Sequence, residues 1–239
     1  MHLDDVFDNK FLAYGSSISK KYDTTVSKNG YSEIRNSKVG FPDLNVYVDF
    51  GNRSIQDSAI LSSFFDKCKG RFHTFNFKNP YNYSTEGVGK PLPYSVKVYE
   101  GVYTRNKIEH KAVEKNGKPI NIIKKGTILF SIFDSSGQLQ EIFTDNYEKR
   151  LQELSQDYGV KISDMFLNYD SSNKIFEIKY NEGKIISMGN ALSSLGNGGY
   201  VTIACEFYNK VRFDNDILTI NYNGFDTVDT DEIYLVEVQ

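Results

Sequence analysis

The chain of 239 residues contains no tryptophan, only two cysteines and only three histidines. Cys68 and Cys205 form no Cys-x-x-Cys pair and support no disulfide framework, so both read as buried, reduced thiols. His2, His73 and His110 are scattered, and none stands at ligand spacing from another histidine or a cysteine, which argues against a metal centre. No apolar run approaches the roughly 18 residues of a membrane helix. The acidic start, Met1 to Asp8, has no apolar core of the kind a signal peptide needs, so a non-exported chain without membrane insertion is expected. A net charge of −3 excludes a globally basic nucleic-acid binder. Catalytic signatures are missing as well. There is no G-x-S-x-G or H-E-x-x-H motif, and no Lys-Ser/Thr follows the glycines at 196–199. Asp214-Asn215-Asp216 begins like a calcium loop, but no glycine or closing glutamate follows at the required offset. No catalytic, metal or cofactor residue is nominated, and a non-enzyme is expected.

The chain does have 17 tyrosines and 17 phenylalanines. With 39% hydrophobic and 25% charged residues it is too apolar for disorder, and its aromatic excess leans toward strands. Leu44, Val46, Val48 and Phe50 alternate as one face of a strand. A helix follows: Ser54 is an N-cap with Asp57 three residues on, and Ile60, Leu61, Phe64, Phe65 and Cys68 form its apolar stripe. Gly70 stands where a helix-ending glycine belongs. Arg71 to Phe77 reads as a strand that stops at Asn79-Pro80, and a further short strand is expected at Tyr94 to Tyr99. The first 30 residues read as an irregular, polar lead-in.

Further along, Thr127–Phe133 and Gln138–Phe143 flank Ser135-Ser136-Gly137 as a hairpin, and a second helix is expected from about Asp145 to Tyr158. Phe176 to Tyr180 and Lys184 to Met188 flank another turn. Strands are expected at Tyr200–Tyr208, Lys210–Phe213, Leu218–Tyr222 and Ile233–Val238. Many short strands with two helices and Gly or Asn turns define a mainly β fold, a sandwich or barrel. Gly/Pro-rich breaks divide it into a domain from 1–93 plus 200–239 and an inserted β module at 94–199 that carries the extra helix.

Charge is unevenly spread. Residues 102–125 hold seven Lys or Arg against two Glu, whereas 206–239 hold eight acids against two bases. Opposed patches of this kind suit oriented association, because complementary charge fixes register.

Three blocks carry a family resemblance. Gly70-Arg71-Phe72-His73-Thr74-Phe75-Asn76-Phe77, continuing to Tyr83, resembles the Gly-Arg-x-His-x-Phe-x-Phe block of the distal tail proteins of bacteriophages, prophages and gene transfer agents. Val211-Arg212-Phe213-Asp214-Asn215-Asp216 with the terminal Leu235–Val238 is similar to that family's C-terminal signature, and Glu33, Arg35 and Asn36 to its early Glu-x-Arg-Asn block. Two departures stand out: Lys210 replaces the usual proline, and the helix near 145–158 looks like an addition.

The resemblance implies a virion structural protein with a tail-tube-like β-sandwich or split barrel. Its copies would form a ring, typically six-fold, between the tail tube and the baseplate hub. Its partners would be itself, the tail-tube protein and the hub protein, with DNA only in transit through the channel. Assembly would occur in the host bacterial cytoplasm, with the particle tail as final location. Glu33, Arg35, Asn36, Arg71, His73, Phe75, Phe77, Tyr83, Arg212, Asp214 and Asp216 would then be motif residues that hold the fold or meet neighbours. On a strand, Arg212 is expected to bond Asp214, Asp216 or a carbonyl. The acidic C-terminal segment is expected to line part of the channel, where like charge would repel DNA. A competing class is a β-sandwich module for host glycans that uses surface tyrosines, although tryptophan, the favoured sugar platform, is missing.

Overall fold

The computed structural model describes residues 1–37, 40–85, 97–98, 107–111, 114, 117–134, 136–146, 148, 161–164, 174–179, 184–189 and 200–238. It is mainly β, and its strands form several sheets. Two compact units are formed, one from Met1–Lys78 with Lys210–Gln239 and the other from Asn79–Asn209.

The first unit begins with strand β1 (His2–Val6), a 3-10 turn at Asn9–Phe11, β2 (Ser17–Lys21), β3 (Thr24–Asn29) and β4 (Ser32–Ser37). It continues through β5 (Asp43–Val48), β6 (Arg53–Ser54), helix α1 (Ile55–Cys68) and β7 (Thr74–Phe77). The second unit contributes β8 (Lys97–Val98), β9 (Lys107–Lys111), β10 (Ile122–Ile123), β11 (Leu129–Phe133) and β12 (Leu139–Thr144). It also holds β13 (Lys161–Asp164), β14 (Lys174–Lys179), β15 (Lys184–Gly189) and β16 (Tyr200–Ala204). The chain ends with β17 (Phe207–Phe213), β18 (Ile220–Gly224), β19 (Thr227–Thr230) and β20 (Ile233–Glu237).

In the first unit the sheet order is β1-β7-β17-β20-β5-β2. Period-two alternation sets its inner face: Leu44, Val46 and Val48 of β5, Val211 and Phe213 of β17, and Leu235 of β20 are all buried. Helix α1 packs on this face. Ser54 caps it by accepting the Asp57 N–H at 3.2 Å, and Lys69 ends it in a left-handed conformation, φ 53°. The buried stripe is Ser58, Leu61, Phe65 and Cys68, spaced by three and four residues. Ile60, expected on that stripe, is half exposed because it lies a third of a turn from Leu61. The core is built on phenylalanine: the Phe213 ring lies 4.9 Å from Phe65, 5.0 Å from Phe75 and 6.1 Å from Phe64.

Several expectations are corrected. The first 30 residues are not irregular: β1 runs parallel to β7, and Phe7 and Phe11 are buried in the core. The strand expected from Arg71 starts only at Thr74, because Gly70 to His73 form the turn that leaves α1. The strand expected at Tyr200–Tyr208 is broken into β16 and β17. Cys205 donates its N–H to Thr85 Oγ1 at 3.1 Å and accepts the Thr85 N–H at 3.1 Å, so a loop takes the place of a sheet partner there. Lys210–Phe213 is the second half of β17, and β19 was not anticipated at all.

In the second unit β11 and β12 form the expected hairpin within the sheet β13-β12-β11-β16-β8. Its turn is organised by Asp134, whose Oδ1 accepts the N–H groups of Ser136 and Gln138, both at 2.9 Å. The Ser136 hydroxyl, first among these bonds, holds the Asp134 carboxyl below its ordinary range. The pairing expected between 176–180 and 184–188 is present as β14 with β15. The expected helix at 145–158, most of the expected strand at 94–99 and much of the basic segment at 102–125 lie outside the described residues.

Candidate functional site

The most organised polar feature of the first unit lies where the turn after α1 meets the end of β17. Both Gly70 (φ +57°) and Lys69 adopt left-handed conformations, which swing the chain out of the helix. A Cβ on Gly70 would stand 2.7 Å from Asp216 Oδ1 and 3.0 Å from its Cα, so only glycine fits beside this carboxylate. Asp216 accepts the Arg71 backbone N–H through Oδ1 and the Arg71 Nε–H through Oδ2, each at 2.9 Å. These two bonds, led by the backbone one, hold the Asp216 carboxyl below the usual range.

Arg212 makes a second ion pair at the same strand end. Its Nη1 donates to the Phe213 carbonyl at 2.8 Å and to Asp214 Oδ1 at 3.2 Å. Asp214 in turn donates its backbone N–H to the Tyr234 carbonyl at 2.9 Å, which fastens β17 to β20. On the outer face of the sheet Tyr234 stands directly opposite Tyr47 of β5, with ring centroids 5.4 Å apart. The Tyr234 hydroxyl donates to Glu232 at 2.7 Å, and that bond raises its pKa above the ordinary phenol value.

The motif residues therefore divide. Arg71 and Asp216 pair with each other, as do Arg212 and Asp214. Phe75 and Phe77 are core residues with no exposed surface. His73 is buried, with Nδ1 3.3 Å from the Met1 carbonyl. Glu33 and Arg35 form an ion pair on β4, and Asn36 stands opposite Thr25 on the same hairpin. Tyr83 belongs to the second unit, where its carbonyl accepts the Phe207 N–H at 2.7 Å. Tyr47, Tyr234 and Glu232 were not anticipated. Their signal was the outward tyrosine between two inward apolar positions, as in Val46-Tyr47-Val48 and Ile233-Tyr234-Leu235.

Two adjoining cavities open on this surface. One, of about 640 Å³, is lined by Phe65, Arg71, Asp216, Leu218 and Asp231 among others. The other, of about 550 Å³, is lined by Asn45 and Tyr47 among others. They share Asp214, Glu232 and Tyr234 and so form one groove. Its character is aromatic and acidic, which suits a basic or polar partner. Among the described residues no three histidine, cysteine or acidic side chains are grouped to hold a metal ion, and no helix is long and apolar enough to cross a membrane. No protein-family model matches the chain, and no curated protein sequence matches it.

Proposed function

We propose that the chain is a non-enzymatic structural subunit of a phage-like tail, closing into a ring that joins the tail tube to the baseplate hub. The observation that carries this reading is the union of the two main resemblance blocks. They are far apart in sequence, yet β7 and β17 are sheet neighbours and Arg71 is bound by Asp216. Residues that set the tail-protein resemblance thus serve one structural feature, and the mainly β architecture agrees with a tail-tube-like unit. A ring requires a heterologous interface, in which one patch of a subunit meets a different patch of its neighbour.

Mass photometry of the purified full chain, alone and with tail-tube subunits, tests the reading. The expected result is a discrete particle near six times the 27.3 kDa chain, formed alone or on the tube. A chain that stays monomeric and binds no tube would overturn it.

A further inference from the structure

The hairpin of β3 and β4 has a role that the first unit's own fold does not need. It leaves β2 after Lys21 and returns to β5 at Asp43, and these two residues are directly paired. A two-residue turn would join β2 to β5 equally well. Every residue of both hairpin strands is exposed. A lone two-stranded hairpin is marginal in water, so this one calls for another surface to cover it. Its register gives it two unlike faces. Thr25 with Asn36, Ser27 with Ile34 and Asn29 with Ser32 make one face without charge, while Val26 with Arg35 and Lys28 with Glu33 make the other. From Lys20 to Asp43 the sequence holds five Lys or Arg against three acids, so the arm and its root are net basic.

The complementary surface stands on the same unit. The groove at the ends of β17 and β20 presents Asp214, Asp231 and Glu232 beside Phe65, Leu218 and Tyr234. Arg71 and Arg212 at this groove are already bound by Asp216 and Asp214, which leaves Asp231 and Glu232 as its carboxylates without an ion pair among the described residues. We propose that the β3–β4 hairpin is a docking arm that lies in the acidic, aromatic groove of a second copy of this chain. Its exposure shows that it does not occupy its own. The tyrosine pair offers flat apolar area for Val26, and the carboxylates offer partners for Lys28 and Arg35 on the same face of the arm. Arm and groove are different patches of one chain, so each copy can give to one neighbour and receive from another, which is the geometry of a ring or filament. The inference rests on the proposed assembly of the chain with itself.

Two full-chain variants test it by mass photometry. One replaces Asp23–Ser37 with a short Gly/Ser linker; the other carries D231K and E232K, with E232K alone as the milder form if the pair fails to fold. Each is expected to melt as a folded protein and to lose self-association at least about tenfold, the scale of reversed charge at a contact. Mixed in equal amounts, they are expected to give dimers and nothing larger, since only one arm and one groove remain. Arm-less or groove-altered chains that assemble like the wild type, or a mixture that stays monomeric, overturn the docking arm while leaving ring formation intact. A wild type that stays monomeric up to millimolar concentration and on the tube overturns both.

Discussion

Asp216 grips Arg71 twice, by its backbone N–H and by its side-chain Nε–H, each at 2.9 Å. The pair joins the turn after α1 to the end of β17 and explains why glycine precedes the arginine. Because the backbone N–H is bound as well as the guanidinium, Asp216 fixes the path of the chain and does more than balance a charge.

The pH dependence of this contact has a definite sign. Folding lowers the Asp216 pKa, so its stabilisation is fully present above the unfolded carboxyl value and is lost as pH falls through the lower folded value. Thermal melting of the wild type and of D216N, followed as a function of pH, is expected to differ at neutral pH. The two curves are expected to converge in acid, where the protonated carboxyl bonds no better than the amide. A gap that persists unchanged into strong acid would exclude the ion pair as its source.

Gly70→Ala probes the same junction from the other side. The left-handed conformation alone costs an alanine about 1–2 kcal/mol. The added Cβ would also push against Asp216 Oδ1, which lies 2.7 Å from where it would stand. Chemical denaturation of G70A is expected to show that loss or more, with a smaller loss when D216A is already present. Equal losses in both backgrounds would mean that the close approach relaxes freely.

Much of the first unit was legible in the sequence. Strict alternation at 44–50 and the Ser54 cap reported β5 and α1 directly, because local propensity and burial agree there. Two features were hidden for physical reasons. The strand His2–Val6 has only Leu3 and Val6 as apolar residues and is held by pairing with β7, a contact 72 residues distant that no local pattern records. The break at Cys205–Glu206 depends on Thr85, equally remote. Of the site, the Arg212–Asp214 bond could be anticipated from strand spacing. The choice of Arg71 by Asp216, and the facing of Tyr47 with Tyr234, required knowing which strands are neighbours.

The aromatic core separates two phenylalanines that the sequence presents alike. Phe213 is buried against Phe65 and Phe75, whereas Phe72, in the Gly-Arg block itself, is 68% exposed. F213A is expected to cost about 3–5 kcal/mol through lost burial and the cavity left behind. F72A is expected to stay within about 0.5 kcal/mol of the wild type. Urea midpoints of the two variants decide this, and comparable losses would contradict the packing described.

Both thiols are expected to be silent in the native protein. Cys68 has no exposed surface and Cys205 almost none. Burial, with a smaller push from the charge of Asp5, raises the Cys68 pKa to about 12. The reactive thiolate at Cys68 is therefore scarce as well as inaccessible. A chromogenic disulfide reagent at mildly alkaline pH is expected to report no thiol until denaturant is added, and then both. Prompt reaction of either one in the native state would show that its segment opens readily.

Phe225 is the position where local rules and the observed residue conflict most. Gly224 pairs with Thr227, so Phe225 and Asp226 form a two-residue turn, and both have positive φ, 50° and 59°. Such a turn favours Asn-Gly, and a left-handed Cβ is costly, all the more for a bulky side chain. The ring recovers nothing by burial, since it is fully exposed. F225N with D226G is therefore expected to raise stability by about 1 kcal/mol, after allowance for the greater unfolded freedom of glycine. The urea midpoint should move upward with its slope unchanged. A downward shift would mean that the ring packs on its own subunit after all. A gain would mean that the isolated fold alone does not favour phenylalanine at this tip.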